Sequence, residues 1–164
     1  MFGLFGKKEK KEIDMNIYAP VNGTCIPLDQ VKDKVFASKM MGDGVGFQYE
    51  GDTVYAPMDG KIMMVANTKH AVGMMGDNGV EVLIHVGLDT VNLNGQGLEV
   101  LVKQNQSVKK GTAMIKIDRG FMKEKEIDLT TPMVITNGAD YTISKLHEGE
   151  AVTTGDCVII SEKK

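Results

Sequence analysis

An all-β fold in a single domain, a β-sandwich or flattened barrel of short antiparallel strands, is what this chain of 164 residues predicts. Three observations carry the prediction. Short apolar segments are cut by glycine-containing turns every eight to twelve residues from Ile13 onward, which is the spacing of sandwiches and barrels. Two pairs of internal echoes fall at such turns. Long helical periodicity is missing, which leaves room for one or two short helical turns at most.

Taken in order, residues 1–14 read as a flexible tail and residues 15–164 as the domain. Met1-Phe2-Gly3-Leu4-Phe5-Gly6 precedes Lys7-Lys8-Glu9-Lys10-Lys11. A solvated tail is the plain expectation for such a segment. The sharper one is weak membrane-surface contact through residues 1–11, with Phe2, Leu4 and Phe5 inserting while the lysines meet anionic lipid. A signal peptide does not fit, because the apolar stretch precedes the basic one and no cleavage site follows.

Within the domain, Leu28 to Ala37 has room for one helical turn, and strand segments follow at Val54 to Ala56, Gly60 to Ala66, Gly79 to His85, Gly97 to Val102 and Ala113 to Ile117. Phe121 to Leu129 has the charge density of a short surface helix, and Met133 to Thr136 and Cys157 to Ile160 close the series. Ala19-Pro20-Val21-Asn22-Gly23 recurs as Ala56-Pro57-Met58-Asp59-Gly60, with each proline suited to a strand start or edge, where its missing N–H costs no ladder bond. Asn105-Gln106-Ser107-Val108-Lys109-Lys110-Gly111 is echoed by Gly149-Glu150-Ala151-Val152-Thr153-Thr154-Gly155. The echoes predict a pseudo-duplicated β architecture and not a solenoid.

Composition excludes several functions. Hydrophobic residues at 42%, charged residues at 25% and a net charge of −3 describe an ordinary globular protein. Nucleic-acid binding is disfavoured, since the chain is mildly acidic and has no Lys/Arg cluster with interleaved aromatics beyond its first dozen residues. Cys25 and Cys157 have no CxxC spacing and no cationic neighbour in sequence, so they read as small hydrophobes in a reducing, cytoplasmic setting. No segment has the apolar length to span a bilayer.

Chemistry concentrates on histidine. The chain holds three, His70, His85 and His147, and His85 lies inside the apolar run Val82-Leu83-Ile84-His85-Val86-Gly87. Packing alone explains such an imidazole poorly, since the ring needs a hydrogen-bond partner and titrates near neutral pH. His147 sits on the polar turn Leu146-His147-Glu148-Gly149-Glu150 and reads as surface. Biotinyl and lipoyl carriers share this turn grammar, but they need a hairpin-tip lysine in a particular flank, which neither Lys69 nor Lys109-Lys110 has.

The run Gly79 to Leu93, GVEVLIHVGLDTVNL, closely resembles the active-site signature of the glucose-family enzyme IIA of the bacterial phosphoenolpyruvate-dependent sugar phosphotransferase system. The Ala-Pro-x-x-Gly openings, Val35 to Gly44, Thr68-Lys69-His70-Ala71 and Thr130-Thr131-Pro132-Met133-Val134-Ile135 fall in family order. The resemblance covers nearly the whole chain and implies a barrel-sandwich hybrid fold. It further implies a phosphocarrier that takes a phosphoryl group from the phosphohistidine of the small carrier HPr and passes it to a cysteine on a IIB domain of a sugar permease.

By this resemblance His85 is the nucleophile, attacking through Nε2 with Nδ1–H held by the backbone carbonyl of Gly87. His70 stabilises the phosphoryl oxygens, and Thr68 orients His70 through its hydroxyl. A shallow apolar docking face is expected around the histidines, with Val35, Phe36, Met40, Met41, Val72 and Leu83 as its ring. Asp33 and Asp89 would flank it to meet an arginine of the donor. No cofactor is expected, although His70 and His85 together could capture zinc adventitiously, and the chain is expected to be a monomer. Departures from the commoner family pattern lie at Lys69, in place of a small polar residue, and at Ala66 and Gly73, in place of bulkier apolar ones. Two alternatives stand beside this reading. A zinc-dependent hydrolase on a related scaffold would need a third ligand, and no HxH pattern supplies one; a regulatory binding protein would have lost transfer.

Overall fold

The computed structural model describes residues 12–164. The membrane contact expected of residues 1–11 lies outside the described residues. The strands are β1 (Asn16–Tyr18), β2 (Gly23–Pro27), β3 (Asp43–Tyr49), β4 (Thr53–Tyr55), β5 (Gly60–Val65), β6 (Ala71–Gly76) and β7 (Glu81–His85). They continue with β8 (Leu98–Val100), β9 (Ser107–Val108), β10 (Ala113–Ile117), β11 (Thr131–Ile135), β12 (Tyr141–Lys145), β13 (Ala151–Val152) and β14 (Cys157–Lys163). An eight-stranded antiparallel sheet runs β9-β5-β6-β7-β11-β3-β2-β13, and two three-stranded sheets run β4-β10-β8 and β12-β14-β1. One core joins Val45, Phe47, Ile62, Met74, Ile84 and Met133 of the large sheet to Ile17, Val54, Met114, Ile115 and Val158 of the small ones. The result is a sandwich. The large sheet does not close into a barrel, because its two ends are the two-residue strands β9 and β13.

The sequence echoes meet in space, and their hydrogen bonds repeat. Gly60 pairs with Val108 as Gly23 pairs with Val152. Ala56 N–H donates to the Thr112 carbonyl at 2.8 Å and its own carbonyl accepts from Gly111 at 2.9 Å, while Ala19 makes the same pair with Asp156 and Gly155 at 2.7 and 3.1 Å. Asp59 Oδ1 accepts from Lys110 N–H and Asn22 Oδ1 from Thr154 N–H, both at 2.7 Å. The two motifs also bond each other, Tyr18 N–H to the Pro57 carbonyl and Tyr55 N–H to the Pro20 carbonyl, both at 2.9 Å. These reciprocal bonds describe a pseudo-twofold whose axis crosses the large sheet between β7 and β11, where Ile84 faces Met133.

The symmetry breaks where the candidate site lies. On one side β2 and β3 are joined by a long connection carrying a 3-10 turn, Leu28–Gln30, and helix α1, Lys34–Ala37. Asp33 caps α1, accepting from Val35 N–H at 2.9 Å and Phe36 N–H at 3.3 Å, which satisfies donors that a helix start leaves free. Leu28, Val31 and Phe36 lie down on Ile26, Val134, Leu83 and Ala71 as a second apolar cluster on the outer face of the sheet. Gly46 permits this seating, since a Cβ there would stand 2.8 Å from Val31 Cγ2. On the other side β5 and β6 are joined by a tight turn, residues 66–70, which leaves the neighbouring stretch of the face uncovered. The second helix is α2, Arg119–Glu124, shorter and earlier than the expected Phe121 to Leu129 because Asp118 caps its start and Glu126 adopts a φ of 56°.

Candidate active site

His85 ends β7, directly opposite Ala71, the first residue of β6. His70 therefore sits one residue before the position that faces His85, and its carbonyl accepts from Val86 N–H at 2.6 Å. The turn that delivers His70 is closed by Lys69 N–H to the Ala66 carbonyl at 2.8 Å, with Lys69 in the left-handed region at φ 63°. The two imidazoles meet edge to face, with centroids 4.6 Å apart and planes at 74°. Phe36 touches the same ring of His85 from α1, at 4.9 Å.

Each ring has a partner on Nδ1. His85 Nδ1 lies 2.8 Å from the Gly87 carbonyl. A carbonyl only accepts, so Nδ1 carries the proton and neutral His85 keeps its lone pair on Nε2. The glycine is required here, since its φ is 75° and a Cβ would stand 2.6 Å from Thr90 Cγ2. His70 Nδ1 lies 2.7 Å from Thr68 Oγ1. Burial holds both imidazoles below the ordinary 6.5, with the nearby His85 pushing His70 down further and hydrogen bonding by Thr68 opposing it. For His85 the Gly87 carbonyl, Asp33 and Asp89 partly oppose burial. Both rings are thus neutral at pH 7, the form that a nitrogen nucleophile needs.

The profile of the family described as the phosphoenolpyruvate-dependent sugar phosphotransferase system, EIIA 1, matches residues 15–141. This chain belongs to that family. It is similar to the glucoside-specific EIICBA component of the phosphotransferase system of Staphylococcus carnosus, 46% identical over 134 residues, 82% of this chain and 19% of the relative. The glucose-specific EIICBA component of the same organism is 43% identical over 159 residues, 94% of this chain and 23% of the relative. The chain thus spans about a fifth of the length of these relatives. The structure of glucose permease IIA from Mycoplasma capricolum superposes with a TM-score of 0.83 at 36% identity, covering 94% of this chain and 99% of that one. The chain is accordingly an EIIA-type member of the sugar phosphotransferase system family and has the β-sandwich of its structural relative.

The structure divides the expected docking ring. Val35, Met40 and Met41 are exposed at 45%, 79% and 41%. Phe36 is not a rim residue: it is 6% exposed, locked between the second apolar cluster and His85. Val72 is not one either, because strand alternation turns it with its neighbour Ile84 into the main core, at 1% exposure. Leu83 shares the outer face with His85 but is largely covered, at 9%. Met40 and Met41 line a groove with Gly42, Ile135 and Ala139, which does not include the histidines. Asp33 is a helix cap as well as a charge near His85, and Asp89 is exposed at φ 58°.

Sequence reasoning passed over two features. Met63 and Met64, 44% and 41% exposed, line an apolar groove with Gly73 and Leu83 on the uncovered side of the sheet. A bulge between Ile62 and Met64 shifts the pairing of β5 and breaks the alternation that would have exposed this in the sequence. The other feature is the polar packing behind Gly87, contributed by β3 and β11. Among the described residues no three His, Cys, Asp or Glu side chains converge as a metal-binding group, and no helix is long and apolar enough to cross a membrane.

Proposed function

We propose that His85 accepts a phosphoryl group from the phosphohistidine of HPr and delivers it to a cysteine of a sugar-permease IIB domain. The observation that carries this reading is the tautomer that the Gly87 carbonyl imposes on His85, which leaves Nε2 unprotonated on a ring packed beside His70. In the transfer the Nε2–P bond forms as the P–N bond to the donor imidazole breaks, and the electron pair returns to the donor. With the Thr68 hydroxyl donating to Nδ1 of His70, the single N–H proton of that neutral ring sits on Nε2, placed to donate to the phosphoryl oxygens as their charge grows.

The docking face in this reading comprises Val35 on α1, the groove of Met63, Met64, Gly73 and Leu83, and Asp33 and Asp89 at the rim for a basic donor. Phe36 supports His85 from beneath. Both reacting partners are proteins, so a shallow surface dehydrated on docking replaces a deep pocket. Residues 15–164 form the functional unit, acting as a monomer in the cytoplasm, and glucose or a glucoside is the sugar class that the names of the relatives favour. The test is reconstitution with phosphoenolpyruvate, enzyme I, HPr and separately purified IIB domains. Transfer onto the chain, and onward to a glucose- or glucoside-specific IIB domain, is expected; a chain that stays unlabelled overturns the reading.

A further inference from the structure

The peptide that holds His85 in its reactive tautomer is itself held from behind. Leu88 N–H, in the same peptide plane as the Gly87 carbonyl, donates to the Asp128 carbonyl at 2.9 Å. Because C=O and N–H point in opposite directions in a trans peptide, this bond aims the carbonyl back at His85. The adjoining Gly87 N–H points at Thr131 Oγ1 at 3.4 Å. Thr131 is 0% exposed, and its hydroxyl donates to the Leu129 carbonyl at 2.9 Å. Its one proton is thereby used, so Tyr49 Oη, 2.7 Å away, must be the donor in that contact. One proton given and two accepted fill the hydrogen-bonding capacity of the hydroxyl.

Tyr49 is fixed in turn by Arg119, the chain's single arginine. Its Nη2 donates to the Tyr49 carbonyl at 2.6 Å, its Nε donates to the Gly51 carbonyl at 2.8 Å, and its guanidinium lies 4.9 Å from the centre of the Tyr49 ring. Burial pushes the Tyr49 phenol up to about 12, so it remains a donor through the neutral range. A continuous polar strut thus runs from α2 through the end of β3 and the start of β11 to the loop after β7. Purely structural packing at these positions would be met by apolar groups, whereas here the polar atoms are saturated and converge on Gly87, where the two peptides behind His85 meet.

We propose that Thr131, braced by Tyr49, is a positioning residue for phosphoryl transfer, holding the Gly87 peptide so that His85 presents an unprotonated Nε2. The proposal rests on His85 being the acceptor. Removing the Thr131 hydroxyl leaves Gly87 N–H without its acceptor, so the Val86–Gly87 peptide is held only by Thr90 Oγ1 on the Val86 carbonyl at 2.6 Å; its tilt passes through the Gly87 dihedrals to the next peptide, whose carbonyl then holds His85 Nδ1–H less firmly.

The test uses the full chain and two readouts. The first is the tautomer of His85, read from imidazole nitrogen shifts at a pH where the ring is neutral; the second is the rate of labelling by phospho-HPr. Thr131→Val is expected to convert a predominantly Nδ1–H ring into a mixture and to slow labelling by about tenfold or more, the scale on which small misplacements act. Thr131→Ser, which keeps the hydroxyl, is expected to restore both. An unchanged tautomer in Thr131→Val, or a changed tautomer with an unchanged rate, overturns the proposal. Should Thr131→Val fail to fold, Tyr49→Phe, which keeps the ring against Arg119, is measured in its place. A smaller shift in the same direction supports the proposal, and wild-type values for both readouts overturn it. Failure of the acceptor assignment is separate: it shows as labelling that survives in His85→Gln, whatever the tautomer of the wild-type ring.

Discussion

At the scale of single residues, the proposed transfer gives the two histidines different work because their Nδ1 atoms have different partners. His85 faces a carbonyl and must be a donor there; His70 faces a hydroxyl that can itself donate. His85→Gln is therefore expected to abolish acceptance from phospho-HPr, since an amide nitrogen offers no lone pair for attack. His70→Gln is expected to accept label on His85 yet pass it on at least tenfold more slowly, checked by following loss of label to a IIB domain. A His70 variant that cannot be labelled at all would contradict the division of roles.

The same burial has a thermodynamic consequence. Both histidines have folded-state pKa values below the ordinary 6.5, so the unfolded chain binds protons that the folded chain refuses. Stability is thus fully present above pH 6.5 and is lost as the pH falls from there through the lowered folded values. Thermal melts are expected to show a transition temperature that declines as the pH falls below 6.5, a decline that is shallower in a His70→Gln/His85→Gln double variant. Equal slopes in the two proteins would show that the acid sensitivity belongs to other groups.

Elements were legible in the sequence where they alternate or carry turn residues, and illegible where they do not. Ala113 to Ile117 matches its strand to the residue, and the two echo pairs anticipate the paired ends of the large sheet. Asp43–Tyr49 went unassigned because Gly44 and Gly46 remove side chains from its outer face, where the Leu28 to Ala37 segment must sit close. Ala71–Gly76 is hidden in the same way by Gly73 and by a run of apolar residues on both faces. His70, His85, Thr68 and Gly87 could be singled out because the family signature is local. Tyr49 and Thr131, 82 positions apart, could not be paired from sequence, since no local pattern joins them.

Phe36 carries the main correction at this scale, and it reverses an expected outcome. A rim phenylalanine would accept a charge at little cost, whereas at 6% exposure against His85 it would not. Phe36→Glu is expected to cost about 4 kcal/mol or more, the scale of a truncated core aromatic with an unpaired charge added, and to lower the melt by on the order of 10 °C. Val35→Glu, one residue earlier and 45% exposed, is expected to leave the melt within about 2 °C and to weaken labelling by phospho-HPr. Paired melts and labelling rates on the two variants check this. A normal melt for Phe36→Glu would return that side chain to the surface.

For the whole molecule, function follows from a duplicated sandwich whose symmetry is broken on one face. The Leu28 to Ala37 connection covers one half of the outer sheet, and the short turn at 66–70 leaves the other half open and sets His70 beside His85. The chemistry needs no bound metal in this account. Transfer is therefore expected to persist after exhaustive dialysis against a chelator, and activity restored only by added zinc would favour a hydrolase instead.

The central claim is that His85 is the covalent acceptor, and locating the phosphoryl group tests it most directly. After incubation with phosphoenolpyruvate, enzyme I and HPr, phosphorus and nitrogen NMR of the intact chain should show one phosphoryl group on Nε2 of His85, present in His70→Gln and missing in His85→Gln. A phosphoryl group on His70, on Nδ1 of His85 or on any other side chain would contradict the account.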